Sequence, residues 1–360
     1  MNERADRPLT GPIIGPDVRP DRGPNKRPNR GARLSAHGSV RILMATYNGA
    51  AYLPDQLNSF IDQHHDDWTL LVGDDGSRDS TPDLVNSFAA AHPERGVRMM
   101  SGPGQGSAAN FLTLAAEGAR PGLWMAFSDQ DDVWMPHKLG RAQLMMRRRL
   151  RDLAGEGSDA PLPPVGDAVI AYASRLYLTD AEMKFTGVSP HMMRPPGFAN
   201  ALVQNILGGN SMVLSPAAAA LVARSVPAAL AADVPFHDWW IYLLIAGAGG
   251  TIVFDRRPGV FYRQHKTNVL GNHGGMRGRM ARLGMLANRH YSDWLSRNLA
   301  GLAGCAELLT PESRTLFTAF AAARQGRRRT CLAALDNLGI YRQTDAGDRM
   351  LRLLARTGRL

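Results

Sequence analysis

The sequence predicts an α/β fold, a mostly parallel sheet flanked by helices, and three observations carry that reading. From residue 40 onward, short apolar runs of strand length alternate with helix-length amphipathic segments, the pattern of parallel strands joined by right-handed crossovers. The apolar runs stop in clusters of Asp, Asn, Ser, Thr or Gly, and in open α/β sheets ligands bind outside the carboxyl ends of the strands. Hydrophobic residues make up 44% and charged residues 21% of the 360 positions. Those ordinary globular values exclude wholesale disorder and allow a sizeable core.

The elements follow in order. Val40–Ala45 is a strand, closed by the polar loop Thr46-Tyr47-Asn48-Gly49. Leu53, Leu57, Phe60 and Ile61 recur at helical spacing, with Pro54 in the first turn where its missing N–H does no harm. Thr69–Gly73 is a second strand ending in Asp74-Asp75-Gly76-Ser77, and Thr81-Pro82-Asp83 caps and opens a second helix. Val97–Ser101 reads as a short strand, Gly102–Gly106 as a turn, Asn110–Glu117 as a helix and Leu123–Phe127 as a strand. That strand runs into Ser128-Asp129-Gln130-Asp131-Asp132, and a basic helix extends from Pro136 to about Arg151. Beyond a Gly/Pro/Asp-rich connector at 152–167, Ala168–Ala173 and Leu176–Leu178 read as strands and Gln204–Leu214 as a loop and strand. Trp239–Ala246 reads as a helix and Gly250–Tyr262 as a short strand pair. From about Met276 the pattern is helical, with Met280, Leu283, Ala287, Tyr291, Trp294 and Leu295 as an apolar stripe. Thr310-Pro311-Glu312 starts a further helix.

Charge divides the chain into three regions. Residues 1–38 hold six prolines and five glycines among scattered arginines, which predicts a disordered basic arm. The net charge of +10 sits at the ends: residues 276–360 contribute +9, whereas 41–275 sum to −3. A nucleic-acid binder should be basic where its fold is, so that partner is excluded. Residues 39–275 form the predicted α/β domain and 276–360 a basic helical extension. Only Cys305 and Cys331 occur, too few for a disulfide framework. With no secretory h-region and no apolar run of about 20 residues, the expected location is cytoplasmic, soluble or peripheral at the inner membrane face.

Asp129, Asp131 and Asp132 crowd three carboxylates into four positions, costly unless a cation or hydrogen-bond donors offset the repulsion. Oxygen ligands of this type suit Mg²⁺ or Mn²⁺ with substrate phosphates completing the shell. The alternative is a solvated acidic loop in which Asp132 caps the next helix. Asp74-Asp75-Gly76-Ser77 is equally compatible with a plain turn, and Asp238 with a helix cap beside core tryptophans.

The longer string Phe127-Ser128-Asp129-Gln130-Asp131-Asp132-Val133-Trp134 resembles family 2 glycosyltransferases, the inverting group with a GT-A fold, and within it the bacterial rhamnosyltransferase-like branch. Ala45-Thr46-Tyr47-Asn48-Gly49, Asp74-Asp75-Gly76-Ser77 with Asp79 and Thr81, His237-Asp238-Trp239-Trp240, and Tyr262-Arg263-Gln264-His265 follow in family order. Together they cover about residues 40–268, which makes 39–275 a GT-A domain. The resemblance implies a nucleotide-sugar donor held by Thr46, Tyr47, Asn48, Asp74, Asp75, Asn110, Asp129 and Arg263. It implies a divalent metal, Mg²⁺ or Mn²⁺, on Asp129, Asp131, Asp132 and His265, and Asp238 as general base. A lone histidine such as His265 and a strand-end arginine such as Arg263 also fit ordinary surface positions. The implied reaction is metal-dependent transfer of a hexose such as rhamnose to a surface polysaccharide or lipid-linked glycan. Gln204-Asn205 followed by Gly208-Gly209-Asn210-Ser211 departs from the small-residue turn common in the branch, leaving acceptor identity open. The basic runs at Arg147–Arg151 and Arg327–Arg329 suggest peripheral contact with anionic membrane, or simply a solvated face. Rival readings are a non-catalytic nucleotide-sugar binder of the same fold and a sugar nucleotidyltransferase. The latter usually carries a glycine-rich, Lys/Arg-bearing phosphate loop, which Thr46-Tyr47-Asn48-Gly49 is not.

Overall fold

The computed structural model describes residues 38–265 and 290–360. The expected arm, and the Met280, Leu283 and Ala287 part of the apolar stripe, lie outside the described residues. Among the described residues, nine strands form one sheet in the order β3-β2-β1-β4-β8-β6-β9-β5, with β7 paired to β6. The first half is parallel: β1 (Val40–Thr46) lies between β2 (Trp68–Asp74) and β4 (Trp124–Ser128), and β3 (Arg98–Ser101) extends the edge. The α/β class expected from the sequence is therefore present, and the second half adds antiparallel pairings. There β8 (Val213–Leu214) runs antiparallel to both β4 and β6 (Ile170–Thr179). β6 and β9 (Thr251–Arg263) pair in parallel, β5 (Val133–Trp134) joins β9, and β7 is Phe185–Val188.

The region expected as two strands, Gly250–Tyr262, is one. Its ladder breaks opposite Ser174/Leu176, so Arg256-Arg257-Pro258-Gly259 form an outward bulge in a continuous strand rather than a hairpin turn. Likewise Ala168–Ala173 and Leu176–Leu178 merge into β6.

The helices α1 (Leu53–Ile61), α2 (Thr81–Ala91), α3 (Ser107–Gly118) and α4 (Lys138–Leu153) connect the early strands. Later come the single turn α5 (Phe198–Ala201), α6 (Pro216–Ala231) and α7 (His237–Gly247). The C-terminal helices are α8 (His290–Ala303), α9 (Pro311–Gln325), α10 (Arg328–Asn337) and α11 (Asp345–Thr357). Ser215 and Thr310 cap α6 and α9 by accepting from Ala218 N and Ser313 N, each ahead of a proline at the first turn.

Alternation along β1 divides the core. Ile42 and Met44 face a cluster with Leu57, Phe60, Trp68, Trp134 and Leu139. Leu43 faces the larger cluster of α3, α6 and α7, and Leu295, Leu299, Leu302, Phe320, Leu335 and Leu351 from the C-terminal helices belong to that same cluster. The described C-terminal helices thus complete the core of the sheet's second face. No helix among the described residues is long and apolar enough to cross a membrane. Part of the basic run on α4 has an internal use: Arg147 donates to Pro163 O and Leu162 O, and Arg151 to Ser158 O, which pins the connector.

Candidate active site

Parallel pairing of β1, β2 and β4 brings three polar strand tips side by side, with Thr46 opposite Asp74 and Met44 opposite Ser128. The loop after β1 is held by side chains of the loop after β2. Thr46 Oγ1 donates to Asp74 Oδ1 at 2.9 Å, as does Ser77 Oγ at 2.6 Å. Asn48, in the left-handed region at φ 49°, gives its N–H to Ser77 Oγ (2.9 Å) and accepts from Arg78 N (2.8 Å). Gly49 N donates to Thr81 Oγ1 at 2.8 Å and Ala50 N to Asp79 Oδ2 at 3.0 Å. Asp79 in turn accepts from the Thr81 hydroxyl at 2.6 Å. The string Asp74-Asp75-Gly76-Ser77, with Asp79 and Thr81, therefore builds the neighbouring loop, which leaves Tyr47 56% exposed at its tip.

Gln130 was absent from the residues singled out in the sequence. Its amide pairs both ways with the Tyr47 backbone, accepting from N at 2.9 Å and donating to O at 3.0 Å. The middle of the acidic string is thereby fastened to the first loop. A side chain at Gly49 would lie 2.1 Å from Gln130 Oε1. Gly49→Ala should then displace the Gln130 amide and lower unfolding free energy by about 1–3 kcal/mol, read as a lower urea midpoint. An unchanged midpoint would mean that the two loops are independent.

Asp75 accepts from Gly104 N at 2.7 Å and Gly106 N at 2.8 Å, and both glycines have positive φ, a conformation that favours glycine. Asp74, Asp75, Met99, Met100, Gly102 and Pro103 border an open depression of about 390 Å³. Asn110, expected on the donor side, is buried beneath it and donates to Gly73 O at 2.7 Å.

The acidic loop differentiates its carboxylates. Asp131 Oδ2 lies 2.6 Å from His265 Nε2, and His265 rests on the Tyr52 ring at 4.9 Å. Asp132, expected as a cation ligand, points inward instead. It is fully buried, accepts from Asn210 Nδ2 at 2.6 Å and Arg263 N at 3.1 Å, and burial pushes its carboxyl well above the usual carboxylate range. Arg263, expected near phosphate, is 4% exposed and engaged by protein. It donates to Asp131 O (2.9 Å), Ala181 O (2.7 Å) and Asp55 Oδ2 (2.7 Å), and its guanidinium lies over Tyr52. Five planar donors suit such a brace. Lys138, also unnoticed in the sequence, is buried with Nζ 3.1 Å from the Trp134 ring centroid and within electrostatic reach of Asp129 and Asp132.

Asp238 is the second residue of α7. Its carboxylate accepts from Gly209 N at 3.3 Å and Trp239 N at 2.7 Å. Burial nevertheless pushes it up to about 6. The adjacent His237 sits against Phe111 and Phe127, ring centroids 4.1 and 5.7 Å away, and burial pushes it down to about 3, so the ring is neutral. Asp129 joins the two halves of the site. Burial pushes its carboxyl up to about 7, and the charges of Asp131 and Asp238 add to that rise. The tips of β4, α7 and β9 therefore lie together: Asp132 accepts from Asn210 and from Arg263 N, and Gly209, next to Asn210, donates to Asp238. Among the described residues, no three His, Cys, Asp or Glu side chains are grouped so as to hold a metal ion.

The fold is a mixed α/β sheet with acidic loops at the carboxyl ends of its parallel strands. Residues 41–157 match the model of glycosyl transferase family 2. The chain is 25% identical to the dTDP-rhamnosyl transferase RfbG of Shigella flexneri over 72% of this chain and 84% of that protein. It is 36% identical to an uncharacterized glycosyltransferase of Nostoc sp. over 28% of this chain and 31% of that protein. A solved structure of S. aureus TarS in complex with UDP-GlcNAc is 12% identical with TM-score 0.44, covering 89% of this chain and 88% of that one.

Proposed function

We propose that the chain transfers a sugar, with inversion at the anomeric carbon, from a nucleoside diphosphate sugar to a surface-polysaccharide or lipid-linked glycan acceptor. The observation that carries the reading is convergence: Asp129 lies within electrostatic reach of both Asp131 and Asp238, although the chain separates them by about a hundred positions. Deoxythymidine-diphosphate rhamnose is the proposed donor, by likeness to the Shigella flexneri dTDP-rhamnosyl transferase. Tyr47 and the backbone of residues 46–49 would border the donor, with its base toward the depression beside Asp75.

Asp238 would accept the proton of the acceptor hydroxyl as that oxygen attacks the anomeric carbon. The bond from that carbon to the diphosphate breaks, the nucleoside diphosphate leaves with the electron pair, and the proton passes from Asp238 to water. A divalent cation fits the donor set as an incomplete shell: one carboxylate, Asp131, in contact with one imidazole, His265, and Asp129 nearby. Mg²⁺ or Mn²⁺ takes such ligands together with phosphate oxygens, and when bound it would offset charge on the departing diphosphate. The basic, exposed Arg327, Arg328 and Arg329 favour an anionic membrane surface as a peripheral partner.

A thermal-shift panel tests the reading. With Mn²⁺ present, dTDP-rhamnose and dTDP should raise the melting midpoint, corresponding to about 2.7 kcal/mol at a hundredfold excess over Kd. Transfer products should show the inverted anomer by NMR. A chain that binds these nucleotides without transferring or hydrolysing the sugar would be a binding protein instead.

A further inference from the structure

We infer that the loop between α10 and α11 positions the general base: residues 341–343 lock the segment 193–205, and that segment holds α7, which carries Asp238, through Trp239 and Tyr242. The inference rests on the reading of Asp238 as the base.

The segment 193–205 contains one helical turn, Phe198–Ala201, and no strand. Its backbone therefore has few partners of its own, although Phe198, Asn200, Ala201, Leu202 and Val203 are buried. Buried backbone groups must be paired somewhere, and here much of that pairing comes from the far end of the chain. Gln343 Oε1 accepts from Met193 N and Arg194 N, each at 2.9 Å. Tyr341 hydroxyl donates to Pro195 O at 2.6 Å, and Tyr341 O accepts from Asn200 Nδ2 at 3.0 Å. Arg342 Nη1 donates to Val203 O at 2.8 Å, and Gln343 N donates to Gln204 Oε1 at 2.8 Å. These bonds bridge about 140 to 150 positions of sequence.

The other flank of the segment holds the base helix α7. Trp239 Nε1 donates to Ala201 O at 2.7 Å, and the Tyr242 hydroxyl accepts from Gly197 N at 3.0 Å. Trp239 follows Asp238 directly and donates its own N–H to the Asp238 carboxylate at 2.7 Å, so the Trp239 anchor reaches the base. A carboxylate displaced by about 1 Å from a reacting hydroxyl can lose up to a hundredfold in rate, so slack in this chain of contacts reaches the chemistry. Gln204 and Arg342 are accordingly positioning residues.

The test uses the full chain with dTDP-rhamnose and its acceptor. Arg342→Ala should lower kcat roughly tenfold while leaving the donor KM and the Kd for dTDP unchanged, because the donor loops make no bond to 193–205. Gln204→Glu, which keeps the oxygen that accepts from Gln343 N, should retain kcat, and Gln204→Leu should lose it like Arg342→Ala. If the effect runs through the base, Arg342→Ala adds nothing to Asp238→Asn, the signature of residues acting as one unit. Wild-type kcat in both Arg342→Ala and Gln204→Leu, or an equal further loss in the Asp238→Asn background, overturns the inference. Should Arg342→Ala fail to give a cooperative melt, the Gln204→Glu and Gln204→Leu pair decides. Transfer that survives Asp238→Asn alone would instead overturn the assignment of the base.

Discussion

Asp238→Asn should abolish transfer, stabilise the protein and spare donor binding, all at once. Loss of a positioned general base costs on the order of 10²–10⁴ in kcat, whereas the donor loops at the tips of β1 and β2 make no bond to Asp238. The stability gain follows from burial. The folded carboxyl is pushed up to about 6 from an ordinary value near 3.8. A raised carboxyl favours folding while both states are protonated, below the ordinary value, and that contribution is lost as pH rises through about 6. At neutral pH the ionised carboxylate is therefore a burden of about 1–3 kcal/mol, which neutral asparagine removes. Chemical denaturation at pH 7.5 and pH 3.5 should show a higher midpoint for the variant only at the higher pH. In the unaltered enzyme the same group makes kcat rise with pH through about 6, since only the carboxylate accepts a proton. A flat profile between pH 5 and 7, with transfer intact in Asp238→Asn, would assign the base elsewhere.

The second large effect concerns Asp131. In the unaltered chain Mn²⁺ should tighten dTDP binding, because Asp131 and His265 would hold the ion and the ion would offset diphosphate charge. Asp131→Asn should remove most of that Mn²⁺-dependent gain, on the order of 10–100-fold in affinity, and leave metal-free affinity as it was. Transfer should fall at least as far, and EDTA should reproduce the loss in the unaltered chain. Titrating dTDP against each protein with Mn²⁺ or EDTA separates the outcomes. If Asp131→Asn answers Mn²⁺ as the unaltered chain does, the Asp131–His265 contact is an ion pair serving the fold.

Much of the first half of the molecule was legible in the residues. β1, β2 and β4 hold the apolar runs Ile42–Ala45, Leu70–Val72 and Trp124–Phe127, almost wholly buried, which mark them. Thr310 caps α9, whereas Thr81, expected as the cap of α2, is its first residue and Ser80 makes no side-chain cap bond. α6 escaped because its first half is mostly alanine, which shows little periodicity to an amphipathic reading, although Ser215-Pro216 signals its start. β9 read as two strands because Arg256-Arg257-Pro258-Gly259 has the composition of a turn, and only pairing with β6 carries the chain through it. Within the site, the residue types were visible and their direction was not. Asp131 and Asp132 are neighbours with opposite fates, since Asp131 meets His265 whereas Asp132 meets the buried Asn210. Arg263 looked available because its partner Asp55 lies 208 positions earlier. Gln130 stood unnoticed among charges, yet its amide reaches back 83 positions to Tyr47.

That amide bears on any attempt to re-engineer donor preference. Residues 46–50 and 128–132 look like two cassettes that could be swapped separately between homologues. Gln130 needs both the Tyr47 backbone and a hydrogen at position 49, so a chimera must transplant the two stretches together or carry a matched Gly49 and Gln130.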